Sequence, residues 1–182
     1  MHLWPPAAVS ATAQGPYVPV SSRLLRVWLS PGSAYVFPRG TTLVRGRVAE
    51  RGIPVRWARI TAIGPNGRVA GRAHADDRGE FLLVVTDPDQ NPLQDTVDLD
   101  LVASAPGELN LVDTRDRCAD LAIETVIRSS VPPTSQDLDN AILRGVSPPP
   151  RYVSSLVPLR LKKVPIGAEL TLRNDVPFKP QV

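Results

Sequence analysis

The feature that most constrains this chain is a period of two in hydropathy that recurs between turn-forming residues across residues 41–85. Leu43, Arg45 and Arg47 alternate with Val44, Gly46 and Val48, and Trp57, Arg59, Thr61 and Ile63 alternate with Ala58, Ile60 and Ala62. Successive side chains of a strand point to opposite faces, so both runs predict strands. Between them, Glu50-Arg51-Gly52-Ile53-Pro54 supplies a turn, because glycine accepts positive φ and proline cannot donate within a ladder. Pro65-Asn66-Gly67 predicts a hairpin whose two central residues are left-handed. Asp76-Asp77-Arg78-Gly79-Glu80 predicts a further turn, feeding an apolar run at 81–85 that suits a buried central strand.

These residues resemble the carboxypeptidase regulatory-like domain family. The likeness lies in Gly46-Arg47-Val48, in Gly52-Ile53-Pro54-Val55 followed by Ala58-Arg59-Ile60, and in Asp76-Asp77-Arg78-Gly79-Glu80-Phe81. Ile60 stands where the family pattern has valine, and Ala75 where it has threonine. The resemblance covers about a third of the chain and consists of turn residues. It implies a seven-stranded transthyretin-like sandwich used as an accessory, adhesive or assembly module, since the motifs carry no catalytic group. Related modules also occur on cap or tail-terminator proteins of phage-tail-like contractile injection systems, which makes such a particle the setting that the resemblance implies.

The rest of the chain extends the β reading. Residues 1–22 are rich in Pro, Ala, Ser and Thr and predict an extended arm. Leu25, Val27 and Leu29 alternate with Leu24, Arg26 and Trp28 over residues 22–30, and Pro31-Gly32 ends that strand. Tyr35-Val36-Phe37-Pro38-Arg39-Gly40 is an aromatic connector into the central module, and its rings, with Trp28, either form an exposed anchor for a partner or cover the open end of the sandwich. Residues 96–104 alternate Val97, Leu99 and Leu101 against Asp98, Asp100 and Val102, the clearest half-exposed strand in the chain. A brief pairing at 109–112 and a strand at 121–127 bring the count to about seven. The expected fold is therefore an all-β, seven-stranded, transthyretin-like or Ig-like antiparallel β-sandwich over residues 23–128.

Beyond the sandwich, Leu138, Ala141 and Ile142 have helical spacing, with Ser135 as a start and Gly145 as a stop, so residues 129–150 predict one short helix and a Pro-rich linker. Residues 151–182 predict a C-terminal extension with two short strands, at 157–163 and 169–173. Two such strands are marginal alone, so they must dock on the chain's own sheets or on a neighbour's.

The chain of 182 residues has 42% hydrophobic residues and a net charge of +3, with three lysines and the arginines dispersed among acids. A nucleic-acid surface needs basic residues gathered on one face, so nucleic acid is not an expected partner. No stretch approaches the roughly 20 apolar residues of a membrane span. Met1-His2-Leu3-Trp4-Pro5-Pro6 lacks the regions of a secretory signal, so the expected location is cytoplasmic, or in a particle released without a cleavable signal. Cys118 is the single cysteine and excludes a disulfide within the chain.

Two histidines, His2 and His74, exclude a His-Glu-x-x-His zinc motif, and there is no Gly-rich phosphate cradle. Asp76, Asp77 and Glu80, with Asp87 and Asp89 from a neighbouring loop, have oxygen-ligand chemistry suited to calcium, but acidic residues also fill turns for local hydrogen bonding. No catalytic residue, metal or cofactor is assigned. The expected function is a non-catalytic structural or assembly protein whose sandwich and arms dock on other subunits, with homo-oligomerisation open. Candidate docking residues are Trp28, Tyr35, Phe37, Tyr152, Leu159, Leu161, Leu170, Leu172 and Phe178. The alternatives are a carbohydrate- or peptide-binding module using Trp28, Tyr35, Trp57 and the 76–80 turn, and, less supported, a transthyretin-type hydrolase.

Overall fold

The computed structural model describes residues 30–86, 94–107, 141 and 145–180. Over these residues the protein is all-β, with ten strands in two sheets and no helix long and apolar enough to cross a membrane. The expected strands at 22–30 (save Ser30, which is in no strand), 109–112 and 121–127, the helix at 135–144 (save Ala141, in a turn) and the N-terminal arm lie outside the described residues.

The first sheet is organised around β1 (Leu43–Glu50). Along one edge, β1 pairs antiparallel with β5 (Glu80–Val84), from Leu43 opposite Val84 to Arg47 opposite Glu80, and then with β2 (Ile53–Pro54). Along the other edge lie β9 (Glu169–Thr171) and β10 (Val176–Pro177), both parallel to β1. The apolar run at 81–85 is thus buried but not central: among the described residues β5 pairs only with β1, which is the central strand.

The second sheet is antiparallel throughout, in the order β4 (Val69–His74), β3 (Arg59–Ile63) and β6 (Thr96–Pro106). The far edge of β6 takes β8 (Leu159–Pro165) over its first half and β7 (Tyr152–Ser154) at its end. The alternation read in residues 96–104 holds, with Val97, Leu99 and Leu101 buried and Asp98, Asp100 and Val102 half-buried.

The parallel pairs in an otherwise antiparallel set of strands, β9 and β10 beside β1, have a topological reason. After β8 the chain turns at Ile166-Gly167 and enters the vacant edge of β1 running in the same direction as β1. The C-terminal strands therefore belong to the chain's own sheets, one pair in each.

Side chains from both sheets form one core. Val44 and Val48 of β1, Phe81 and Leu83 of β5, Ile60 and Ala62 of β3, and Leu99, Leu101 and Ala103 of β6 all belong to it. The C-terminal segment contributes Val164 of β8, Val176 of β10 and Phe178 just after it, each at most 2% exposed. Gly46 occupies an inward position of β1 because a Cβ there would lie 2.9 Å from Leu172 and 3.0 Å from the Phe81 ring. Gly71 answers a tighter constraint: a Cβ would stand 2.3 Å from the Val84 carbonyl oxygen, where β4 meets β5. Beside it, the Thr86 amide donates to the Ala70 carbonyl at 2.6 Å, tying the two sheets together at this corner.

The turns are where sequence expectation and structure part in detail. The β1–β2 hairpin closes through Arg51 and Gly52, with φ of 50° and 84°, so the paired left-handed geometry occurs here. In the β3–β4 hairpin, only Gly67 has positive φ; the Gly64 amide donates to the Arg68 carbonyl and the Arg68 amide to Asn66 Oδ1. Three residues span that turn rather than two, so Asn66 acts through its side chain. Trp57 was expected in a strand but has a φ of 58°, and β3 begins two residues later.

Three substitutions test this packing. Gly71→Ala is expected to cost about 1–3 kcal/mol, since backbone must yield to a methyl group, while Gly32→Ala, in open space, stays near neutral. Phe178→Ala is expected to cost about 3–5 kcal/mol, the value for a core aromatic, in chemical denaturation.

Candidate functional site

The aromatic connector at residues 31–42 is held against the first sheet by two charged side chains. Arg45 lies on the outer face of β1, because Val44 and Gly46 take the inner face. Its guanidinium donates to the carbonyl oxygens of Ser33 and Tyr35, and its Nε donates to Glu169 Oε1 at 2.8 Å. One side chain thus binds the connector and β9 together. A turn within the connector, the Tyr35 amide to the Gly32 carbonyl at 3.0 Å, fixes where the rings begin.

Asp76 supplies the second hold. Its Oδ2 accepts from the Ser33 hydroxyl at 2.8 Å and from Arg78 Nη2 at 3.3 Å, while Oδ1 accepts from the amides of Arg78 and Glu80. Burial raises the Asp76 pKa, but the hydrogen bonds from Ser33, Arg78 and Glu80 outweigh it and hold the carboxyl below its ordinary value. The 76–80 turn itself closes through the Asp76 amide to the Glu80 carbonyl and the Gly79 amide to the Asp76 carbonyl. Both oxygens of Asp76 are thereby used within the chain. Among the described residues, no group of three His, Cys, Asp or Glu side chains is placed to hold a metal ion; Asp87 and Asp89 lie outside them.

On this support the connector presents Tyr35, 57% exposed, and Val36, 83% exposed. The Phe37 ring backs Tyr35 edge-on, with centroids 4.9 Å apart and planes at 70°. The other expected docking residues sit elsewhere. Phe178 is buried in the core, and Leu159, Leu161, Leu170 and Leu172 are half-buried against it. Tyr152 is half-buried in β7 and donates its hydroxyl to the Trp57 carbonyl at 3.1 Å. Trp28 lies outside the described residues. Sequence reasoning omitted Val36, whose only signal was its place between two aromatic residues.

A second surface lies at the β6–β8 edge, an open depression of ≈ 200 Å³ lined by Ile63, Pro65, Leu99 and Leu161 with charged residues around them. Its charges are mutually paired: Lys162 with Asp98 at 2.8 Å and Arg160 with Asp100 at 3.6 Å. Lys162 and the Lys163 amide hold Asp98 below its ordinary pKa. The depression therefore offers little free polar chemistry to a ligand.

His74 ends β4 opposite Arg59, and a Cβ at Gly145 would lie 3.0 Å from its Nε2. Burial, with the Arg59 charge adding, lowers His74 from 6.5 to about 4. The folded chain thus keeps this ring neutral at pH values where the unfolded chain protonates it. Stability is fully present above pH 6.5 and falls as pH drops toward 4, by roughly 1–3 kcal/mol. Denaturant midpoints measured between pH 7.5 and 4.5 check this, and His74→Gln is expected to flatten the fall within that window.

Comparison of the chain with protein-family models, with curated proteins and with solved structures gives no match.

Proposed function

We propose that the protein is a non-catalytic docking and assembly module, a transthyretin-like β-sandwich that engages other protein subunits through the Tyr35–Phe37 connector. The observation that carries this reading is the combination of exposure and rigidity at Tyr35 and Val36. Two large apolar side chains stand in solvent on backbone pinned by Arg45 and Asp76. Exposed anchors already fixed in place lose little entropy on binding, which is how a small patch contributes usefully to an interface. The charged side chains of Asp76, Asp98, Glu169 and Asp175 are committed to structural pairs, which favours a scaffold over a reaction centre. A flat sugar platform needs exposed coplanar rings, and Trp57, the ring expected beside Tyr35 in such a site, is half-buried, so the protein-partner reading is preferred to the carbohydrate one.

The particle to search first is a phage-tail-like contractile injection system, the setting implied by the sequence resemblance. The test is sedimentation of a gentle lysate with mass spectrometry of the co-sedimenting fraction. Tyr35→Ser combined with Val36→Ser is expected to move the chain from a large particle to its free position, with a denaturation midpoint within about 0.5 kcal/mol of wild type. Wild-type chain that sediments at 19.7 kDa would sink the assembly reading.

A further inference from the structure

The C-terminal residues 151–180 form no sheet of their own. Among the described residues, no two of β7, β8, β9 and β10 pair with each other. Their mutual links gather at Ser155 and Leu156: the bridge of Ser155 with Pro180, the Leu156 amide to the Lys179 carbonyl, the Ser155 hydroxyl to the Pro177 carbonyl and the Lys179 amide to the Ser155 hydroxyl. Every ladder in this ribbon is made with β1 or β6, the two longest strands of the body. Its conformation is therefore templated by the edges it fills.

The two edges carry opposite charge codes. On β6 the body presents Asp98 and Asp100, and the ribbon answers with Lys162 and Arg160. On β1 the body presents Arg45 and Arg47, and the ribbon answers with Glu169 and with Asp175, the last in a two-bond pair at 2.8 Å each. Exposed pairs of this kind contribute little stability, but misregistered or exchanged strands would set like charges together. The code fixes which strand enters which sheet, and it says nothing about whose chain the ribbon comes from.

In sequence, residues 107–150 lie between the end of β6 and the ribbon. A neighbouring copy offers the ribbon the same groove and the same charges as its own chain.

We propose that residues 151–180 are an exchangeable strand donor, whose second occupant site is the β1 and β6 edges of another copy of this chain. The proposal deepens the assembly reading and rests on it, but it uses a surface separate from Tyr35 and Val36. Dilute chain closes on itself, and copies gathered in an assembly exchange ribbons reciprocally.

A disulfide trap in the full chain tests it. Asp100 and Arg160 are directly opposed on β6 and β8, so Asp100→Cys with Arg160→Cys, in a Cys118→Ser background, reports which chain supplies the ribbon. The protein is refolded at ~1 µM and at ~1 mM, oxidised, and run on a denaturing gel. Covalent dimer at the higher concentration, at least about tenfold above the lower, is expected. Cross-links confined to single chains at both concentrations would overturn the exchange, and would leave docking through Tyr35 and Val36 to be judged by its own sedimentation result.

A second measurement reads the charge code. Asp98→Lys with Asp100→Lys in one full-length chain, and Arg160→Asp with Lys162→Asp in another, each oppose like charges within a chain and restore opposite charges on reciprocal exchange. Co-refolding the two at ~1 mM is expected to yield a species of twice 19.7 kDa that neither forms alone. A mixture no richer in dimer than its separate components would overturn the charge-directed exchange.

Discussion

The structure depends on β1 having both edges filled. A strand with one open edge is a template for any other chain, and natural sheets cover, charge or shorten such edges. Here β5 and β2 cover one side and β9 and β10 the other, so the longest strand of the first sheet is closed along most of its length. The same device recurs on β6, flanked by β3 on one side and by β7 and β8 on the other. Closure moves the boundary of the second sheet outward to β8. That strand bears Arg160, Lys162 and Lys163, and Lys163 breaks regular strand geometry with a φ of 55°. Charge and irregularity at an edge both discourage unwanted pairing.

The elements legible in the sequence are those whose side chains alternate. β3 and β6 show the period plainly, and the turns at Gly52, Gly67 and Gly79 follow from residues that favour left-handed backbone. β2, β7 and β10 are two or three residues long, too short for any period to register. Trp57 misleads because it continues the alternation of β3 while its backbone has already left the strand. The site was legible only in part. Tyr35 and Phe37 stand out as aromatics beside Pro38, but their exposure depends on Arg45, which local sequence links to neither. Conversely, Phe178 sits in a polar, proline-bearing tail, and its burial comes from β1, more than a hundred residues away.

Asp76 shows how a turn carboxylate can be taken up by local hydrogen bonds. Its carboxylate has the composition of a metal ligand, yet it accepts two local amides, a serine hydroxyl and an arginine. Those bonds carry rigidity from the β4–β5 turn into the aromatic connector. A second hold comes from Arg45, so the connector is fastened from two elements of the fold at once. What a partner would meet is therefore a stiff surface with few rearrangements left to make on contact.

The order in which the sheets are completed has a consequence for synthesis. On a ribosome, β1 is made well before β9 and β10, which fill its second edge. At about 5–20 residues per second, the interval between residues 50 and 177 is roughly 6–25 s. During that time β1 and β6 each lack a flank, and the core lacks Val164, Val176 and Phe178. Until the ribbon is made, the strands of the body keep backbone donors and acceptors that only residues 151–180 of the finished chain go on to satisfy.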